Sequence, residues 1–188
     1  ADSIADHGWQ VVEQSALPDP LVVVGHSAAG AYLPAIGSRL GREVSAYLFL
    51  DARLPKSGAS LADQDSHEEN QRRRKMAEDG MLPLWSEWFG DGAMEVLLPD
   101  GEHRRRFVEE HSPVPVGLFQ EEISFSSKWS DAPTACLRLS EFYKPLARQS
   151  AAEGWYVSEI DAGHLHLVSH PRLVTELILD VLDHMEVG

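Results

Sequence analysis

The chain has 188 residues, enough for one domain with a sizeable core, and its 43% hydrophobic and 24% charged residues are ordinary for a soluble globular protein. A formal charge of −14 argues against nucleic acid or an anionic membrane as a partner, since a phosphate-binding face needs clustered Lys and Arg. No apolar run is long enough to cross a bilayer and no signal peptide is visible; the single cysteine, Cys136, excludes an internal disulfide, so a reducing cytoplasm is the expected setting.

In chain order, residues 2–17 ("DSIADHGWQVVEQSAL") read as a helix leading into the first strand. Four short runs read as strands: "LVVV" (21–24), "SAYLFL" (45–50), "TACLRL" (134–139) and "WYVSEI" (155–160). The first is continuously apolar, as a strand covered on both faces should be. Helical stretches separate the runs, and that alternation predicts an α/β fold with a mostly parallel sheet flanked by helices. The helix after Ser27 is expected to reach about Leu40 and to bend at Pro34, where Gly30 leaves room for the proline ring, with Gly41 as its C-terminal cap.

Residues 60–130 differ in character and read as a helical cap insertion. The charge clusters "HEENQRRRK" (67–75) and "HRRRFVEE" (103–110) have Glu68–Arg72 and Glu69–Arg73 four apart, the pattern of a solvated helix face. Trp85, Trp88 and Phe89 fall at i, i+3 and i+4, a helical stripe that either packs the insertion on the sheet or roofs an apolar substrate cavity. The last helix starts at Pro171, with Leu173, Val174, Leu177, Ile178, Val181 and Leu182 along one face.

The chemistry concentrates where "VVVGHSAAGAY" (22–32) passes from strand to helix through one serine. Such a turn is tight enough to strain the Ser27 backbone and demands small neighbours, here Gly25 and Ala29; in exchange it lifts the Ser27 hydroxyl above the sheet. The Ala28 N–H, at the start of the helix, would face a developing oxyanion. Serine alone is a weak nucleophile and needs a neutral imidazole, held in the right tautomer by a carboxylate. "DAGHLHLVSHP" (161–171) offers His164 in a loop after the last predicted strand, at the same sheet edge as Ser27. Two carboxylates compete for the third position: Glu141 in "LRLSEFY", favoured by the order Ser–Glu–His, and Asp51 at the end of "LFLD". His26 reads as a packing or pocket-lining residue. His164, His166 and His170 raise a metal site, but no carboxylate cluster supplies a third ligand, so no metal is expected.

Together, "GHSAAG", "FLDARLP" and "AGHLHLVSHP" resemble the α/β-hydrolase superfamily, and within it small cofactor-free actinobacterial-type members with a "GHSGAG"-like elbow and a "VDAGLP"-like segment. The chain departs from that pattern with Ala29 in place of the commoner glycine. The resemblance implies strands ahead of the elbow strand, including one that supplies a second oxyanion N–H. Only about twenty residues precede "LVVV", so residues 1–188 are expected to be one hydrolase-like domain, N-terminally incomplete. A second copy of the chain or a missing N-terminal segment would then cover the sheet edge.

The resemblance implies a cofactor-independent serine hydrolase that cleaves an ester, thioester or lactone of a small-to-medium apolar substrate. Ser27 would be the nucleophile, His164 the base, Glu141 or Asp51 the acid, and Ala28 the oxyanion donor, with His26, Trp85, Trp88 and Phe89 lining the pocket. A non-catalytic binding protein, or a lyase or acyl transferase using the same site, is the alternative, because a fold does not fix a function.

Overall fold

The computed structural model describes Leu17 and residues 19–187. The helix expected over 2–17 therefore lies outside the described residues, apart from its last position.

Four strands, β1 (Leu21–Ser27), β2 (Val44–Ala52), β5 (Thr134–Arg138) and β6 (Tyr156–Glu159), form a parallel sheet in the order β1-β2-β5-β6. Two short strands, β3 (Met81–Leu82) and β4 (Val114–Pro115), pair antiparallel within the insertion. β2 is one of the two inner strands of the sheet, and alternation sends its side chains to two different cores. Leu48 and Leu50 join Leu137, Leu139, Val174 and Val181 on one face. Tyr47 and Phe49 meet Leu33, Leu54, Trp129 and Trp155 on the other. Burying side chains such as Leu48, Phe49 and Leu137 fully stabilises the fold by about 1.5–3 kcal/mol each. Among the described strands β1 is an edge, and its Val24 is 43% exposed.

The segment after Ser27 is two elements rather than one bent helix. A 3-10 helix (Ala28–Tyr32) leads into α1 (Leu33–Arg39), which places Pro34 in the first turn of α1. A proline there gives up an N–H that would have had no intrahelical partner, so the expected bend at Pro34 does not form. Gly41 follows at φ 60°, a left-handed geometry that suits glycine at a helix end.

Between β2 and β5 the chain is mostly short helices, chief among them α2 (His67–Met76) and α3 (Gly101–Glu109). α3 matches the expected solvated face, with Arg105–Glu109 and Arg106–Glu110 ion pairs. α2 also exposes His67, Glu68, Glu69, Gln71, Arg74 and Lys75, but not through the expected pairs: Arg72 pairs with Glu69, while Arg73 is buried, paired with Asp65 and laid over the Phe119 ring at 4.2 Å. Asp65 also holds Arg53, just past the end of β2, so this carboxylate ties α2 to the sheet. The Trp85–Phe89 stripe is likewise no regular helix; Trp85–Glu87 is a single 3-10 turn. α4 (Lys144–Ala152) and α5 (Pro171–His184) complete the fold. α5 buries Val174 and Val181 as its spacing predicts, although Leu173 stays 41% exposed. Among the described residues no helix is long and apolar enough to cross a membrane.

Candidate active site

The elbow is built by close contact. Ser27 has φ 58° and ψ −129°, a strained conformation that the surrounding packing must enforce. A Cβ on Gly25 would lie 2.7 Å from Leu33 Cδ2, and one on Gly30 only 2.3 Å from the Arg53 carbonyl oxygen. The Arg53 N–H donates to the Ser27 carbonyl at 2.9 Å, fastening the elbow to the end of β2. Gly30 is thus the tighter of these two elbow positions. The sequence reading gave it only the role of making room for Pro34, because its neighbour Arg53 is remote in the chain.

Beside the elbow the sheet register jumps. His26 pairs with Leu50 and Ser27 with Ala52, which leaves Asp51 out of the ladder at φ 44°. A bulge of this kind re-aims a side chain, and aspartate is among the residues that tolerate a positive φ. The Asp51 carboxylate is completely buried. One oxygen accepts from the Leu139 and Ser140 N–H groups at 2.9 and 2.8 Å; the other accepts from the Ser140 hydroxyl at 2.6 Å. That second oxygen also meets His164 Nδ1 at 2.7 Å. Burial would raise the Asp51 pKa, but these four hydrogen bonds outweigh it and hold the carboxyl below its usual value. Asp51 is therefore ionised at neutral pH.

His164 completes a chain of contacts, its Nε2 lying 3.1 Å from Ser27 Oγ. With Asp51 accepting from Nδ1–H, the Nε2 lone pair is free to take the serine proton. The loop carrying His164 is fixed from several sides. Arg138 donates to Glu159 and Asp161, the Ala162 N–H donates to the Leu139 carbonyl, and Leu165 is buried against Met94 and Leu98 of the insertion. His26 stacks on the His164 ring at 4.4 Å and its Nε2–H donates to the His164 carbonyl at 3.0 Å. Burial, reinforced by the neighbouring His164, lowers the His26 pKa from 6.5 to about 4, so its ring is neutral near pH 7.

The preference for Glu141 is corrected. Its side chain is 72% exposed on a short 3-10 turn after β5 and pairs with Lys144 at 2.9 Å, while His164 Nδ1 is taken by Asp51. The chain just past β5 does contribute to the carboxylate, but as a cradle made by the Leu139 and Ser140 N–H groups and the Ser140 hydroxyl. Of the residues expected to line a pocket, Trp85 lies with its ring 6.3 Å from that of His164. Phe89 packs on Trp85 at 4.8 Å, half exposed. Trp88 turns away, onto Phe119 at 5.8 Å, and its Nε1–H donates to the Pro83 carbonyl. Ala28 opens the 3-10 helix directly after Ser27, where first-turn N–H groups have no intrahelical acceptor. His166 and His170 do not gather around His164; they stack on each other at 4.1 Å. Among the described residues no group of three His, Cys, Asp or Glu is arranged to hold a metal ion. Tyr143 was missed altogether: its hydroxyl is 3.4 Å from Ser27 Oγ and its ring is stacked on His164 at 5.2 Å. No pattern in "SEFYKP" distinguishes it from a core tyrosine.

Comparison with known proteins agrees with this fold. An extracellular α/β-hydrolase from a Paenibacillus species superposes with a TM-score of 0.73 at 19% identity, over 95% of this chain and 78% of that one; it is described as sharing structural and functional homology with tobacco salicylic acid binding protein 2. The Arabidopsis methylesterase MES16 gives 0.64 at 13% identity, over 94% and 75% of the two chains. Tomato methylketone synthase I with bound 2-tridecanone gives 0.67 at 14% identity, over 97% and 80%. Among curated proteins no match is found. The family model of the alpha/beta hydrolase family matches residues 1–177. With its parallel sheet and its serine at a strained strand–helix turn, the chain belongs to the alpha/beta hydrolase family.

Proposed function

We propose that the protein is a serine hydrolase that opens an ester, thioester or lactone through an acyl-enzyme, with Ser27 as nucleophile, His164 as general base and acid, and Asp51 as the orienting carboxylate. The observation that carries this reading is the unbroken relay from Ser27 Oγ to His164 Nε2 at 3.1 Å and from His164 Nδ1 to Asp51 at 2.7 Å.

In the first half-reaction His164 Nε2 takes the Ser27 proton while Oγ bonds to the acyl carbon. The carbonyl electron pair moves onto oxygen, towards the Ala28 N–H. The intermediate collapses as His164 returns the proton to the departing alcohol or thiol; in a lactone that group stays attached to the acyl chain. Water then repeats the sequence on the acyl-enzyme, and Ser27 Oγ leaves with the proton held by His164. Asp51 stabilises the imidazolium in both halves without taking its proton. The Trp85 ring near the imidazole, with Phe89 packed on it, supports an apolar acyl or alkoxy group as the substrate's bulk. Structures that share the fold include esterases, which is in keeping with this chemistry.

Turnover of p-nitrophenyl esters by the wild type, Ser27→Ala and His164→Ala tests the assignment. Each substitution is expected to remove a thousandfold or more of kcat/KM, about the scale for losing one member of such a relay. A rate that survives Ser27→Ala defeats the nucleophile role. Tight binding of apolar esters without turnover would instead favour a binding protein on this fold.

A further inference from the structure

We propose that Tyr143 is a positioning residue for the nucleophile, its hydroxyl donating to Ser27 Oγ and its ring bracing the His164 imidazole. The inference rests on the acyl-enzyme reading above and goes beyond its three members.

Tyr143 lies at the end of the 3-10 turn that follows β5, immediately before α4, whose first turn carries Pro145. Its side chain is buried, with the hydroxyl oxygen 3.4 Å from Ser27 Oγ and the ring stacked nearly parallel to His164 at an interplanar angle of 13°. Proton counting fixes the direction of the hydrogen bond. Ser27 has one hydroxyl hydrogen, and when His164 is neutral at Nε2 that hydrogen points to the imidazole; Tyr143 must then be the donor. Burial raises the phenol pKa, so the donor hydrogen stays in place across the working pH range of a histidine base.

The consequence is catalytic rather than only structural. Oγ carries growing negative charge as its proton departs in acylation, and again as it leaves the acyl carbon in deacylation. A donor aimed at Oγ therefore strengthens in both transition states more than in the resting enzyme. The contact is longer than an ideal hydroxyl hydrogen bond, so its removal should fall at the lower end for donors to a charged acceptor, about tenfold in rate.

The test is covalent labelling by an alkyl fluorophosphonate, in which Ser27 Oγ bonds to phosphorus, fluoride leaves and the serine proton passes through His164 to solvent. Tyr143→Phe keeps the ring and removes the donor. The expected result is wild-type labelling at Ser27, about tenfold slower labelling in the variant, and a matching fall in ester kcat with KM and Tm unchanged. Equal labelling rates for the two proteins overturn the role of Tyr143 while leaving the acyl-enzyme reading intact. An unlabelled wild type overturns the acyl-enzyme reading, and this proposal with it. If Tyr143→Phe folds poorly, wild-type protein made with 3-fluorotyrosine, a stronger donor, provides the second measurement: faster labelling supports the proposal, and an unchanged rate refutes it.

Discussion

His26 makes the fold sensitive to mild acid, and the size of the effect follows from its surroundings. In the unfolded chain its pKa is 6.5; in the folded protein burial, with the adjacent His164, lowers it to about 4. Between those two values the unfolded chain holds the proton and the folded protein does not, so acidification favours unfolding. The native state has its full stability from this group above pH 6.5 and loses it progressively down to about pH 4. The gap corresponds to at most about 3 kcal/mol, a large share of a typical domain's stability. Urea unfolding of the wild type and His26→Gln at intervals from pH 7.5 to 4 measures it. Other histidines titrate in both proteins, so the quantity of interest is how the difference between the two changes with pH. The wild type should lose about 2–3 kcal/mol more than the variant over this range. Parallel pH profiles would show that the folded protein accommodates a charged His26 and would refute the argument. Asp51 acts in a separate window: its depressed pKa contributes stability above the unfolded carboxylate value, lost only as the pH falls below about 4.

Asp51→Asn should reduce kcat by a thousandfold or more, because an amide N–H facing His164 Nδ1 forces the proton onto Nε2, where it blocks transfer from Ser27. Glu141→Gln, which removes only an exposed pairing with Lys144, should leave kcat/KM within about twofold and Tm nearly unchanged; a large loss would return Glu141 to contention. Gly30→Ala places a methyl group 2.3 Å from the Arg53 carbonyl and should lower stability by about 1–3 kcal/mol, with a disproportionate loss of kcat as the elbow shifts. Thermal melts and ester kinetics on the same preparations separate the two effects.

The sheet was legible in the sequence because local pattern carries it. All four parallel strands lie within two or three residues of the apolar runs that announce them, and Pro171 marks the start of α5. The serine turn was legible for the same reason, since small residues crowd around it in a short window. The choice of carboxylate was not. It depends on a register jump between β1 and β2 and on N–H groups of Leu139 and Ser140, 88 and 89 residues away from Asp51. Chain order, the criterion that favoured Glu141, is blind to which side chain turns inward. Charge pattern misled in the same way at Arg73, where a run that looks solvated hides one guanidinium under Phe119. Tyr143 escaped notice because a phenol reaching a hydroxyl from 116 positions away leaves no trace in spacing.

The cradle around Asp51 has a wider consequence for how this scaffold divides its labour. Since the strand next to the Ser27 strand bears the carboxylate, the turn at Glu141–Tyr143 lends Asp51 no side chain, and the Leu139 and Ser140 amides and the Ser140 hydroxyl ahead of it hold that charge. The Glu141 and Phe142 side chains are released from that duty: Phe142, 76% exposed beside Tyr143, can be exchanged without unseating the charge beneath it. Substitutions that probe the surroundings of Asp51 should therefore begin at Glu141 and Phe142, and leave the bulge at Asp51 untouched.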